Sequence, residues 1–296
     1  MLKITPMERL LILLLFFGTP LIAFGQKSQL SVKHSVSMNL KGQVQEVRNY
    51  AFEPGGKESD TVNLVPYDFF GMLNFIVQFD RQGWKVKKID LKLHDSKLVP
   101  SATWSYRYDS LHRLIEETYI FKSIDQTDTA SFHYLYPSTN HTTIIEKRNS
   151  EMRMAYHHKL ENRTEEVTTV NSDSSYIARK YFQFDEQERI IKVEDYGNES
   201  RLRNLTINFF GSDSYRNPAK VLETDLRTGK TFLSENELDV FGNVVGKKIS
   251  SVESGESRTT TFTYSYDELG NWIEQKEFID GVLRKVFKRE IVYYED

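Results

Sequence analysis

The stretch YSYDELGNWIEQKEF, residues 264–278, shows how the chain is built. Aromatic residues occupy alternate positions up to Tyr266, which places them on one face of a β-strand. Asp267 and Gly270 follow, and they suit a turn because a short carboxylate accepts backbone N–H groups and glycine adopts a positive φ without strain. The alternation resumes after Asn271, so the stretch predicts a β-hairpin.

The same combination of an aspartate and a polar turn, in most copies after alternating aromatics, recurs upstream. We predict a structural role in these turns for one set of residues: Asp80, Gly83, Asp109, Arg113, Asp185, Arg189, Asp239, Gly242, Asp267, Gly270 and Asn271. More degenerate copies are expected to turn near Pro137, Glu161 and Asp213.

The spacing of the copies predicts the fold class. Seven intervals between Asp80 and Asp267 give about 27 residues per unit, which accommodates two strands and two turns. The sequence therefore predicts an all-β antiparallel meander of about eight or nine hairpin repeats, in a curled or partly closed sheet with its aromatic face inward. Helix is expected only in short pieces such as residues 149–160.

The last strand-like segment, residues 282–294, is rich in β-forming residues. In a sheet that does not close it would be an open edge with unpaired backbone groups. Its cations, Arg284, Lys285, Lys288 and Arg289, then either protect the edge from aggregation or flank an edge that docks a partner strand by β-augmentation.

Tyr266-Asp267-x-x-Gly270-Asn271, followed by Trp272-Ile273, resembles the YD repeat of the Rhs family, whose core is Tyr-Asp-x-x-Gly-Arg-hydrophobic. The segments FDRQGWKV, YDSLHRLI, FDEQERII and DVFGNVV are similar to it, and the copies span residues 75–278. Arg113 and Arg189 match the family arginine, whereas His112 and Glu188 replace its glycine. The resemblance implies an all-β fold of hairpins, a cell-surface or secreted setting, and a scaffold or recognition role.

The N-terminus has the features of a secretory signal peptide over residues 1–25. Lys3 and Arg9 flank its start, LLILLLFF fills residues 10–17, and Ala23 and Gly25 suit the cleavage site. We expect residues 26–296 to form a single exported domain, in the periplasm, at the outer surface or outside the cell. No later segment is apolar enough to span a bilayer as a helix, so no membrane span is expected after cleavage.

Composition and motifs exclude several classes of function. The chain has no cysteine, which excludes disulfides and thiolate chemistry, and its net charge of -3 gives no attraction to nucleic acid. Nucleotide-binding glycine loops, the G-x-S-x-G elbow and the H-E-x-x-H zinc motif are absent. We therefore expect no catalytic residue, no cofactor and no metal site.

The remaining candidates for chemistry have ordinary interpretations. His157 and His158 point to opposite faces of a strand, which predicts surface histidines, with His133 and His141 upstream. The acidic pairs Glu116-Glu117, Glu165-Glu166 and Asp185-Glu186 are expected by chance among 42 acidic residues. The tryptophans Trp84, Trp104 and Trp272 pack on the sheet or form a sugar-stacking surface.

The sequence favours a secreted, non-enzymatic YD-repeat-like binding or structural protein of the cell envelope, with an unknown protein or glycan partner. Two alternatives remain. One is a carbohydrate-active enzyme or its sugar-binding subunit, which requires two carboxylates flanked by Trp or Tyr on a concave surface. The other is an accessory or immunity partner of a secreted toxin.

Overall fold

The structure, a computed structural model, describes residues 38, 40–55, 64–68, 73–122, 127–198, 200–211 and 217–295. The predicted signal peptide lies outside these residues. Among the described residues, no helix has the length and apolar character needed to cross a membrane.

The described chain folds into one antiparallel sheet. Its strands are β1 (Val44–Pro54), β2 (Leu64–Pro66), β3 (Asn74–Phe79), β4 (Lys85–His94), β5 (Lys97–Tyr108), β6 (Leu114–Lys122), β7 (Thr127–Ser138), β8 (His141–Arg148), β9 (Glu151–Glu161), β10 (Thr164–Asn171), β11 (Tyr176–Phe184), β12 (Ile190–Tyr196), β13 (Leu202–Phe209), β14 (Lys220–Asp225), β15 (Lys230–Leu238), β16 (Val244–Ser251), β17 (Ser257–Tyr266), β18 (Trp272–Ile279) and β19 (Val282–Tyr293).

The sheet closes on itself. Consecutive strands from β3 to β19 pair as a meander, and β1 pairs with β19 on one side and with β3 on the other. Val47 lies opposite Ile291 in one pairing and opposite Val77 in the other. The result is an 18-stranded barrel of β1 and β3–β19, with the short β2 paired only to β1.

The antiparallel meander was predicted correctly, but three finer expectations were wrong. The sheet is a closed barrel rather than a curled or partly closed sheet of eight or nine hairpins. Residues 151–161 form strand β9 and not a helix, because their side chains alternate between the two faces of the sheet. Residues 282–294 are not an open edge, since β19 is paired with β18 and β1.

The strand registers divide the side chains into an inner and an outer wall. Residues opposite one another in a pairing share a face, so the row Val47, Val77 and Ile291 continues around the barrel from strand to strand. This face also carries Phe182 and Tyr134, which are buried, and it is the concave inner wall, because side chains crowd together inside a closed sheet.

The inner side chains pack along the wall rather than across the barrel. Three buried apolar clusters, around Val47 and Phe79, around Leu114 and Tyr134, and around Phe182, each draw on strands that are neighbours or close together in the barrel. Eight-stranded barrels are just filled by their side chains, whereas 18 strands enclose far more space. The barrel therefore has a lumen.

Because the meander is antiparallel, alternate turns lie at the same end of the barrel. The turns after β3, β5, β11, β15 and β17 carry the repeated aspartates, and we call this end the Asp rim. The degenerate copies near Pro137 and Glu161 also lead into turns of the Asp rim, after β7 and β9. Asp213 lies outside the described residues.

Candidate binding surface on the inner wall

Asp267 organises its turn through both its backbone and its carboxylate. Its Oδ1 accepts hydrogen bonds from the backbone N–H groups of Leu269, at 3.0 Å, and Asn271, at 2.8 Å. The N–H of Gly270 donates to the carbonyl of Asp267, and Gly270 has a φ of +78°. The carboxylate thus satisfies backbone donors that the turn would leave unpaired.

The same geometry recurs in the other copies. The Oδ1 atoms of Asp80, Asp109, Asp185 and Asp239 each accept two backbone N–H bonds, from the residues two and four positions later. The residue three positions later has a positive φ in every copy, whether it is glycine (Gly83, Gly242, Gly270) or not (His112, Glu188).

The side chain four positions after the aspartate closes the turn. Arg113 and Arg189 donate from Nε to the Oδ2 of Asp109 and Asp185, both at 2.7 Å. Asn271 donates from Nδ2 to Asp267. Arginine and asparagine thus fill the same structural role in different copies.

Each turn is also fastened to the following repeat. The hydroxyl of Tyr266 donates to Oδ2 of Asp239, 27 residues earlier. Further from the rim, the backbone carbonyl of the residue five positions after an Asp-rim aspartate accepts a hydrogen bond from a side chain of the next repeat. The pairs are Lys85 with Tyr108, Leu114 with Tyr136, Ile190 with Asn208, and Val244 with Tyr264. The predicted turn residues therefore lie around one rim and are not gathered into a single site.

Four carboxylates of the Asp rim, those of Asp109, Asp185, Asp239 and Asp267, are held in their ionised form. Burial opposes ionisation of Asp239 and Asp267, but hydrogen bonds from Tyr266 to the first and from Tyr293 to the second, together with backbone N–H bonds, outweigh it and lower both pKa values. For Asp109 and Asp185, burial is likewise outweighed by the bonds from Arg113 and Arg189, which lower their pKa values. Such fully bonded carboxylates are suited to structure rather than to proton transfer.

Two separate segments complete the Asp rim where β19 meets β1. The backbone N–H of Lys41 donates to Oδ1 of Asn271 at 2.6 Å, and Nδ2 of Asn271 donates to the Lys41 carbonyl at 3.0 Å. On the other side, Tyr294 donates from its hydroxyl to the carbonyl of Phe79 at 2.6 Å. Asn271 is almost fully buried, and its two hydrogen bonds to Lys41 join the first and last parts of the described chain.

Away from the rim, the inner wall carries an aromatic platform made of Trp104, Tyr119 and Phe121. The rings of Trp104 and Tyr119 have centroids 4.3 Å apart, and those of Tyr119 and Phe121 are 6.4 Å apart. Asp90 lies beside the platform, where its Oδ2 accepts a 2.7 Å bond from the Trp104 indole and its Oδ1 lies 2.6 Å from Nζ of Lys88. All three rings are partly exposed, which suits a stacking surface.

A second polar group lies on the neighbouring part of the same wall. Tyr134 donates to Oε1 of Glu117 at 3.1 Å, and the Nζ of Lys85 lies 5.1 Å from the Tyr106 ring centroid. Burial lowers the pKa of Lys85 to about 8, against the opposing field of Glu117. Burial also raises the pKa of Glu117, against the opposing charge of Lys85. Each charge thus offsets part of the cost of burying the other.

His158 departs from the prediction that it is a surface histidine. It is buried on the inner wall, where its Nδ1 lies 2.8 Å from Oε1 of Glu165, whereas its neighbour His157 lies on the outer wall. Over the described ranges, no three His, Cys, Asp or Glu side chains are grouped so that they could hold a metal ion. The adjacent acidic residues of the sequence are likewise split between the walls, with Glu117 and Glu165 inside and Glu116 and Glu166 outside.

The outer wall carries many charged and polar side chains, together with exposed apolar ones such as Ile120, Leu135 and Phe209. Ion pairs join neighbouring strands, including Arg107 with Glu116 at 2.8 Å and Lys220 with Glu235 at 2.8 Å. On β17 the outward positions are Thr259, Thr261, Thr263 and Ser265, opposite the inward Phe262, Tyr264 and Tyr266. The aromatic residues of this strand thus point into the barrel, and its hydroxyl side chains point out.

Two solved structures are similar to this chain. One is a porin-like protein from Bacteroides uniformis ATCC 8492, with a TM-score of 0.42 and 10% identity over 84% of this chain and 96% of that one. The other is a porin-like protein from Bacteroides vulgatus ATCC 8482, with a TM-score of 0.36 and 12% identity over 86% of this chain and 100% of that one. No protein-family model and no curated protein matches the chain. The similarity to the Rhs repeat therefore stays a prediction.

Sequence reasoning missed the charged residues of the inner wall. Lys85, Lys88, Asp90, Glu117 and Arg289 look like ordinary surface charges in the sequence, yet the registers place all of them inside. A signal was present for Glu117 and Arg289, because each lies two positions from an inward aromatic residue of its own strand, Tyr119 and Phe287. Applying that alternation requires knowing where each strand bulges.

Proposed function

We propose that the protein is an exported, non-enzymatic envelope protein that binds an extended glycan inside the lumen of its barrel. The observation that carries this proposal is the inner wall, where the aromatic platform lies beside a hydrogen-bonded carboxylate and an ammonium group. Sugar rings present apolar C–H faces and a rim of hydroxyls, which match partly exposed aromatic rings flanked by charged hydrogen-bonding groups.

The outer wall supports a barrel surrounded by water rather than by lipid. Barrels embedded in a bilayer place apolar side chains outward, and a charged residue near the middle of the lipid face costs about 2–4 kcal/mol. Pairs such as Arg179–Glu166 and Lys192–Glu194 lie on outward positions away from the ends of their strands. Together with the predicted signal peptide, this supports a proposed site of action in the periplasm or outside the cell.

Glycan binding is tested with the purified chain lacking residues 1–25 on an array of neutral and acidic oligosaccharides. We expect binding, and we expect Trp104→Ala and Tyr119→Ala to weaken it roughly tenfold or more, as for a buried aromatic contact at a binding hot spot. Tyr181→Ala is the matched control, because Tyr181 lies on the outer wall opposite Glu194. An array without any bound glycan, or an equal loss in Tyr181→Ala, would contradict the proposal.

A glycoside hydrolase is the second candidate, because Glu117 and Asp90 are both carboxyl groups of the concave wall and have Tyr134 and Trp104 as direct neighbours. The raised pKa of Glu117, caused by burial, suits a general acid. Asp90, however, is engaged by Lys88 and Trp104. Hydrolysis of any glycan that binds, abolished by Glu117→Gln with binding retained, would establish the hydrolase and overturn the non-enzymatic proposal.

A further inference from the structure

Arg289 is on the inner wall, close to where the barrel closes. It lies opposite Asn49 of β1, which in turn lies opposite Phe75 of β3, so the three residues form one row across adjacent strands. Its guanidinium carbon lies 3.4 Å from the centroid of the Trp272 ring. The prediction that this arginine protects an open edge was therefore wrong, because its side chain points into the lumen.

The neighbours of Arg289 are neutral. Its Nε donates to Oδ1 of Asn49 at 3.4 Å, and the amide of Asn49 is itself committed to the carbonyl of Leu73 at 2.7 Å. Tyr264 lies near enough to influence the guanidinium and bonds to Gln275. Within the described ranges, no carboxylate forms an ion pair with Arg289, and its two terminal NH₂ groups have no hydrogen-bond acceptor.

Two other inward cations, Lys88 and Lys180, differ in this respect. Lys88 is paired with Asp90, and Lys180 lies 3.5 Å from Asp195. A partly buried charge without a partner is unfavourable, and burial lowers the pKa of Arg289 against the field of Tyr264, although a guanidinium stays charged at neutral pH. The arrangement leaves a charged guanidinium facing the lumen, with its carbon 3.4 Å from the centroid of the Trp272 ring.

We propose that Arg289 recognises a carboxylate, and that the glycan bound in the lumen is acidic, built from uronic or similarly carboxylated sugars. This inference rests on the proposed glycan-binding function. A guanidinium in contact with the face of Trp272 presents N–H groups that match the two oxygens of a carboxylate. The Nε of Arg289 is already hydrogen-bonded to Asn49, so the two terminal NH₂ groups of the guanidinium are available to the ligand.

The test compares acidic probes with their own neutral forms. Hexagalacturonate and a hyaluronan hexasaccharide are each measured by calorimetry against the corresponding methyl esters, in which a neutral ester replaces each carboxylate. We expect at least one acidic probe to bind roughly tenfold or more tightly than its ester, since a bidentate charged hydrogen bond is lost in the ester. Arg289→Gln should bind acid and ester equally, and Arg289→Lys should retain only part of the preference, since it keeps the charge without the fork.

Arg284→Gln is the matched control, an exposed arginine on the same strand whose loss should leave the preference unchanged. Equal binding of acids and esters by the unaltered protein, or a preference that persists in Arg289→Gln, overturns this inference. The same holds if Arg284→Gln removes the preference as fully as Arg289→Gln. Binding of neutral glycans alone overturns the acidic specificity and leaves glycan binding standing, whereas a protein that binds no glycan at all contradicts both.

Discussion

The hydroxyl of Tyr293 donates a hydrogen bond to Oδ2 of Asp267, 26 residues earlier in the chain, and accepts one from Nδ2 of Asn271 at 2.7 Å. Tyr266 makes the same pair of bonds with Asp239 and Asn243 one repeat upstream. A tyrosine at the end of one strand thus completes the turn of the preceding repeat. The carboxylate of each of these aspartates thus accepts hydrogen bonds both from its own turn and from the following hairpin.

Removing that hydroxyl should destabilise the barrel. We expect Tyr293→Phe and Tyr266→Phe each to lower the free energy of unfolding by about 2 kcal/mol, the range for a hydrogen bond to a charged group. Urea denaturation at pH 7 measures this. Tyr119→Phe is the control, since the Tyr119 hydroxyl has no hydrogen bond among the described residues, and a loss as large in the control would refute the prediction.

Gly270 should not tolerate a β-branched residue. Its φ is +78°, and an added Cβ would come within 2.8 Å of the Nζ of Lys41, which is the mobile end of a long side chain. The backbone conformation therefore decides the outcome, and Gly270→Val should cost more than about 1 kcal/mol, whereas Gly270→Asn should cost less because asparagine accepts the left-handed region. Equal losses of unfolding free energy in the two variants would count against this explanation.

The Asp-rim carboxylates should make the fold sensitive to acid. Because the folded-state pKa values of Asp239 and Asp267 are lowered, the stability that these carboxylates contribute is present above the unfolded pKa of about 3.9 and is lost as the pH falls through the folded values. The urea concentration at the midpoint of unfolding should therefore be nearly independent of pH near pH 6 and should fall steeply below about pH 4. Asp267→Asn should be less stable at pH 6 and should show a shallower fall, and an unchanged slope would exclude this origin.

The buried Glu165 should have the opposite effect on stability. Burial raises its pKa, against the lowering effect of His158, and its Oε2 has no hydrogen-bond partner among the described residues. An acid whose folded pKa is raised loses stability as the pH rises from the unfolded pKa of about 4.3 to the folded value. We expect Glu165→Gln to raise the free energy of unfolding at pH 8 by about 1 kcal/mol, and we expect this gain to vanish near pH 4.

Thermal unfolding across this pH range measures the effect. Glu166→Gln is the control, since Glu166 lies on the outer wall opposite Tyr181. A destabilised Glu165→Gln variant at pH 8 would show that the carboxylate of Glu165 is favourable in its contact with His158.

The turns were predictable because their chemistry is local. The aspartate, the residue with positive φ and the residue four positions after the aspartate lie within five consecutive residues. The pattern can therefore be read directly from the sequence that begins at Asp80 or at Asp267. The closure of the barrel was not predictable in the same way. It depends on the pairing of β1 with β19, and in isolation both segments have the composition of edge strands.

The candidate binding surface depends on the same long-range information. The inward direction of Arg289 follows from its position opposite Asn49, 240 residues away, and no local pattern distinguishes it from the outward Lys288. From the sequence, Trp84, Trp104 and Trp272 were predicted either to pack on the sheet or to form a sugar-stacking surface. Their charged neighbours were not, because a lysine or aspartate in an alternating strand is ordinarily assigned to the water-facing side.

The pairing of β1 with β19 also determines how the chain can fold. Most other pairings join consecutive strands, so the hairpins have low contact order and can form one after another, whereas this seam must close a loop of about 240 residues. The loop-closure entropy is about 5 kcal/mol, recovered only when the seam forms. Until then each chain has two complementary unpaired edges, and at high protein concentration β19 of one molecule can pair with β1 of another. Refolding yield should therefore fall with concentration, with swapped oligomers as the competing product.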